Sequence, residues 1–265
     1  MVKKPFNIIF ILIATVLVAT MAVGCSGSID TMQRINDDGQ VIMGTNAAFP
    51  PFEMREGDAV VGIDAEIAQA IADKIGVKLK IEDMDFGALP SALKSGKVDF
   101  IAAGYTITPD RQEEVDFSDT YFKAVQAIVV LKDNDTIKMA EDMNGKTIGA
   151  QEGTTGADLL RAEDSPYKDV TLMTYSKGAD AVLDLKNKRV DAVVLDNYTS
   201  MALAELNPEI KLLDEPAAPP EEYAIAVRKG DTELLQTIND TLKELKDSGK
   251  LDEIFKKYIP DYRAE

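Results

Sequence analysis

An arginine, an aspartate and two runs of small and hydroxylated residues are where this chain could do chemistry. Arg111 closes the run Ile107-Thr108-Pro109-Asp110-Arg111. Thr108-Pro109 reads as a helix start, with Thr at the N-cap and Pro in the first turn, where its missing N–H costs nothing. Just upstream, Val98 to Ile101 is a short apolar strand ending in Ala103-Gly104-Tyr105-Thr106, where side-chain bulk falls away and backbone groups become approachable. A guanidinium fork beside the free amides of a helix N-terminus suits a carboxylate. The same residues also fit an ordinary βα turn with a surface arginine. The second run is Gln151-Glu152-Gly153-Thr154-Thr155-Gly156, leading from a strand into a helix. Its amides and the hydroxyls of Thr154 and Thr155 would suit an anion. No Gly-Lys-Ser/Thr closes it, so it is not a Walker loop. Asp196 ends another apolar strand, either as the N-cap of the next helix or as the anion for an ammonium group.

Several chemistries are excluded. The chain has no histidine and a single cysteine, Cys25. Ser-His-Asp and Cys-His catalysis, a disulfide and a cysteine-based metal site are therefore out of reach, and a zinc site has too few ligands. No loop of alternating Asp and Asn followed by Glu offers a calcium site. Neither a metal nor another cofactor is expected. A net charge of −17, from 29 basic and 46 acidic residues, argues against nucleic acid and against an anionic membrane surface as partners. The first 25 residues resemble a bacterial lipoprotein signal peptide. Lys3 and Lys4 are its basic start, Ile8 to Val18 its apolar run, and Ala22-Val23-Gly24-Cys25 its end, with Cys25 as the lipidated residue.

The elements that must position these residues alternate. Ser26 to Asn36 is polar and suits a tether, and Gln40 to Thr45 is the first strand. Phe49-Pro50-Pro51-Phe52 is a stiff loop, since a double proline fits neither a helix interior nor a central strand. Phe52 is expected in the core, and Phe49 either there or in a pocket wall. Helix Ile63 to Ile75, strand Val77 to Ile81 and helix Phe86 to Ser95 then lead into the strand before Gly104. This β-α-β-α-β order implies a parallel-rich α/β sheet with its ligand at the carboxyl ends of the strands. A second such unit begins at Met143-Asn144-Gly145-Lys146, with its first strand from Thr147 to Ala150. Within it Lys188-Arg189-Val190-Asp191 and the strand to Asp196 repeat the pattern of Lys97-Val98-Asp99 and the strand to Gly104. Two long extended runs, Tyr121 to Leu131 and Glu222 to Val227, follow the units as two crossings between lobes, which implies a hinge. The helices Thr232 to Ser248 and Leu251 to Tyr258 carry only the periodicity of core packing.

Taken together, Gly44-Thr45-Asn46, Phe49-Pro50-Pro51-Phe52-Glu53, Gly62-Ile63-Asp64, Ser95-Gly96-Lys97-Val98-Asp99, Ile107 to Arg111 and Asp116-Phe117-Ser118-Asp119 resemble a polar amino-acid binding protein of an ABC importer. The resemblance spans Val41 to Tyr258. It implies a two-lobed, periplasmic-binding-protein type II fold with two hinge-crossing strands. Residues 38–122 plus 225–265 would form lobe 1 and 123–224 lobe 2, after a 1–25 signal and a 26–37 tether. By the same resemblance, Arg111 and the amides of Thr106 and Thr155 hold a ligand α-carboxylate. Asp196, the Gly104 carbonyl and the Thr106 hydroxyl hold the α-ammonium. Phe49 and Phe86 flank the aliphatic part, and Asn46, Ala103, Gln151 and Leu195 line the side-chain pocket, beside Thr154. Several relatives, including ones for basic amino acids, carry an acid where Asn46 stands. Asn46 and Gln151 are hydrogen-bonding but uncharged, so a polar uncharged ligand such as glutamine is expected first, with basic amino acids and cystine next. The implied partners are an ABC permease and its ATPase, with the protein a lipid-anchored monomer outside the cell. Two other functions are compatible with this resemblance: an enzyme of the same fold, such as a cyclohexadienyl or arogenate dehydratase, and an amino-acid sensing module. With no carboxylic acid standing out as a catalytic acid, a non-enzyme is expected.

Overall fold

Polar residues upstream of the first strand form a helix rather than a tether. In the computed structural model, which describes residues 31–259 and Tyr262, α1 (Thr31–Asp38) buries Met32 and Ile35. Its Arg34 pairs with Asp99, which is fully buried and also faces Arg228. Two apolar residues three apart and one arginine are enough to dock eight residues whose composition otherwise reads as linker. The expected signal and Cys25 lie outside the described residues, which belong to one compact unit, Thr31–Glu265.

The chain continues through β1 (Gln40–Thr45), then β2 (Ala48–Phe49), β3 (Glu53–Glu56) and β4 (Ala59–Val61). Next come α2 (Ile63–Ile75), β5 (Lys78–Asp83), a 3-10 turn at Phe86–Ala88, α3 (Leu89–Lys94) and β6 (Phe100–Ile101). α4 (Pro109–Glu114) and β7 (Val115–Phe117) lead to the crossing pair β8 (Phe122–Ala124) and β9 (Gln126–Leu131). The second unit holds β10 (Thr147–Gln151), α5 (Thr155–Arg161), β11 (Thr171–Tyr175), α6 (Gly178–Lys186), β12 (Ala192–Asp196), α7 (Asn197–Leu206) and β13 (Ile210–Leu212). β14 (Glu221–Tyr223), β15 (Ala226–Arg228), α8 (Thr232–Asp247) and α9 (Lys250–Tyr258) follow, with β15 returning to the first unit.

Two five-stranded sheets result, ordered β5-β1-β6-β15-β7 and β11-β10-β12-β9-β13. In each, three parallel strands meet one antiparallel strand that arrives from a crossing, β15 or β9, and an edge strand, β7 or β13, pairs antiparallel on its far side. This is the two-lobed type II fold. Each long extended run is in fact two strands. β8 and β14 pair with each other, with Phe122 opposite Tyr223, while β9 and β15 enter opposite sheets. The break after β8 is held by Asn197, whose side chain accepts the Val125 N–H and whose own N–H reaches the Val125 carbonyl.

The repeated Val-Asp pair has one structural role in both units. Asp99 accepts the Ile42 N–H at 2.8 Å and Asp191 the Thr147 N–H at 2.8 Å, so each carboxylate secures the neighbouring parallel strand. Below the crossings sits an aromatic core. Phe52 is fully buried, edge-on to Phe122 at 4.9 Å and to Tyr223 at 5.1 Å.

Candidate functional site

Both sheets end their parallel strands at the same place. Asn46, Phe49, Phe86, Gly104, Thr106 and Arg111 from the first unit, and Gln151, Thr154, Thr155 and Asp196 from the second, line one cavity. Ala103 is not among them. Its side chain, 1% exposed, packs on the opposite side of the strand end with Leu89, Leu93 and Tyr105, as alternation beside Gly104 requires. Leu195 is likewise buried in the core, against Gly178. The cavity is tight, with a volume of about 10 Å³, room for roughly one water. Bonds between the units hold it closed: the Gln151 amide donates to Asn46 Oδ1 at 2.9 Å and Arg111 to the Gly153 carbonyl at 2.9 Å.

Arg111 owes its place to the helix start. Thr108 caps α4 by accepting the Arg111 N–H at 3.2 Å, which brings the side chain back over Tyr105, 4.2 Å from the ring centre, with Phe86 at 5.5 Å. The guanidinium also donates to the Thr106 carbonyl at 2.8 Å. On the other side, Thr154 caps α5, and its hydroxyl donates to the Gln151 carbonyl at 2.8 Å. Asp196 stands at the N-cap of α7, yet its side chain makes no capping bond. It accepts instead from the Tyr223 hydroxyl and from Gln126 at 3.0 Å. Burial pushes its carboxyl up to about 7, with the two donors opposing and nearby Glu221 adding to the rise.

Sequence reasoning passed over the polar groups behind the cavity. Gln126 and Tyr223 each sit inside an apolar run, and their polarity in such a run is the one signal they gave. Glu221 accepts from the hydroxyls of Thr155 at 2.8 Å and Thr106 at 3.0 Å. Asp64, in the first turn of α2, looks like a helix-dipole complement. It is fully buried and accepts the Gly104 N–H at 2.7 Å and the Tyr121 hydroxyl at 2.8 Å. Gly104 has φ +52°, and a Cβ there would lie 2.8 Å from the Phe49 ring. So Asp64 fixes the one peptide that must stay bare beside the cavity.

Glu53 is fully buried against Asp64, with no donor reaching either of its oxygens. Two carboxylates have nothing to donate, so a bond between them requires a proton. Burial first, then Asp64, drives the Glu53 carboxyl well above the usual range, while burial takes Asp64 to about 6. A folded-state value raised above the unfolded one gives stability that is full below the ordinary carboxylate range and lost as pH rises through the folded value. Glu53→Gln mimics the protonated acid and does not titrate. Its melting temperature is expected to gain on wild type between pH 5 and pH 8, by up to about 1.4 kcal/mol of stability per pH unit. A difference that does not change with pH would remove the proton from the account. Among the described residues no cluster of three acids, histidines or cysteines could hold a metal ion, and no helix is long and apolar enough to cross a membrane.

Known proteins resemble this chain in sequence and fold. Residues 41–261 match the family profile of bacterial extracellular solute-binding proteins, family 3. The arginine-binding extracellular protein ArtP of Bacillus subtilis is 39% identical over 222 residues, covering 83% of this chain and 86% of its own. A crystal structure of a mutant ArgBP from T. maritima superposes with a TM-score of 0.82 at 42% identity, covering 87% of this chain and all of that one. An ancestral arginine-binding protein, solved bound to arginine and also bound to glutamine, is 43% identical in both structures with TM-scores of 0.78. These cover 83% and 84% of this chain and 98% and 99% of theirs.

Proposed function

Because the chain belongs to the bacterial extracellular solute-binding proteins of family 3, we propose that it is the amino-acid receptor of an ABC importer, anchored outside the cell through a lipid on Cys25. The observation that carries this reading is a cavity with Arg111 on one lobe and Asp196 on the other. A zwitterion held between lobes must have both charges met, since an unpaired buried charge costs several kcal/mol. Arg111 takes the α-carboxylate with the amides of Thr106 and Thr155, and Asp196 takes the α-ammonium with the Gly104 carbonyl. Phe49 and Phe86 cover the aliphatic stem. Asn46 and Gln151, bonded to each other in the closed cleft, turn to the ligand side chain when the lobes part.

That pair of amides serves a hydrogen-bonding side chain, glutamine or arginine. Charge favours arginine. Among the described residues, Asp196 and Glu221 stand against the single cation Arg111 at the cavity, and a cationic ligand offsets the surplus. This reverses the order expected from Asn46 and Gln151 and agrees with what ArtP and ArgBP are named for. The named relatives are binding proteins, which supports a receptor over a dehydratase. A melting screen of the twenty amino acids and cystine is the test, since a ligand of the native state raises the transition. Arginine is expected to give the largest rise and glutamine a smaller one. A largest rise with glutamate would contradict the charge argument. Formation of product from prephenate or arogenate would contradict the receptor reading.

A further inference from the structure

Glu221 is a polar residue to which the binding scheme gives no contact with the ligand. It opens β14, on the crossing between the lobes, and is half-buried. One oxygen, Oε2, accepts from Thr106 Oγ1 at 3.0 Å and from Thr155 Oγ1 at 2.8 Å, with Gln126 Nε2 at 3.5 Å. Thr106 follows β6 of the first sheet and Thr155 begins α5 of the second. A single oxygen can meet both hydroxyls only while the two lobes are together.

We infer that Glu221 is a positioning residue for ligand capture: from the crossing, it latches a hydroxyl of each lobe and so favours the closed cleft. This rests on the receptor reading for the identity of the ligand, but the latch itself does not. A contact present in one of two conformations shifts their balance by its own free energy, and a ligand that needs closure gains the same factor in affinity. Hydrogen bonds to an ionised acceptor are the stronger kind, which sets that factor at roughly tenfold or more. The latch also aims the Thr106 hydroxyl, which the scheme assigns to the ligand ammonium. Repulsion between Glu221 and Asp196 is met once that ammonium lies on Asp196. No relation of this kind attaches to Glu222, the next residue, which is exposed.

The test compares wild type, Glu221→Ala and Glu221→Gln in the full chain. Radiolabelled arginine and glutamine give association and dissociation rates, and small-angle X-ray scattering gives the radius of gyration with and without amino acid. Glu221→Ala is expected to weaken binding roughly tenfold, almost all of it as faster dissociation, and to enlarge the ligand-free particle. Glu221→Gln keeps an acceptor oxygen for both hydroxyls without its charge and is expected to recover part of the slow dissociation and of the smaller radius. Should Glu221→Ala release ligand at the wild-type rate and scatter as wild type does, the latch is wrong. A variant equally weakened by slower association, with an unchanged radius, overturns it too. If wild type binds no amino acid, the receptor reading fails on its own, and the ligand-free radii of the three proteins still decide the latch.

Discussion

Arg111→Ala is expected to abolish amino-acid binding while the empty protein still melts cooperatively near the wild-type temperature. Among the described residues the guanidinium is the one cationic group lining the cavity, and closing two lobes on a carboxylate without it buries an uncompensated charge. Breaking such a pair costs about 3–5 kcal/mol, which is a loss of between two and four orders of magnitude in affinity. The fold has little to lose, because α4 buries none of its residues and the side chain lies on Tyr105 rather than in the core. Titration calorimetry with arginine and glutamine checks this. An affinity within a few fold of wild type would remove Arg111 from the site.

Asp196→Asn is expected to be nearly as damaging and to change the pH dependence as well. In the empty protein burial holds the Asp196 carboxyl at about 7. An ammonium on it favours the ionised form, so the value in the complex is lower. Binding near pH 6 then releases a proton, and affinity rises with pH until it levels off above about 7. The stability of the empty protein runs the other way. The contribution from Asp196 is full below the ordinary aspartate range and fades as pH rises through 7, so the ligand stabilises the protein more at pH 8 than at pH 5.5. Asp196→Asn retains a partner for Tyr223 and Gln126 but cannot titrate, and its residual binding is expected to be flat between those two pH values. A wild-type affinity that is already flat there would contradict the assignment of the ammonium to Asp196.

Much of this site was legible because local chemistry placed it. The N-cap Thr108 and the bare strand end at Gly104 are short-range features, and each holds in the fold at the residue where the sequence put it. The Val-Asp repeat signalled two like units and turns out to secure the same strand pairing in each. What stayed hidden depends on partners far away along the chain. Glu221 meets hydroxyls 115 and 66 residues distant. Whether Ala103 or Gly104 faces the cavity turns on where the strand ends, and a one-residue difference reverses the face. The helix Thr31–Asp38 was missed for a related reason: its two buried residues matter only because Asp99 and the lobe surface receive them. The burial of the acids Glu53 and Asp64 was not legible, since it cannot be seen from a residue type that is nearly always exposed.

The most direct test of the whole account is a crystal structure of the chain with the amino acid that raises its melting temperature most. The account predicts that ligand in the cavity between the two sheets, its α-carboxylate on Arg111 and its α-ammonium on Asp196. A ligand bound elsewhere, or one in this cavity with its head group turned away from both residues, would contradict it.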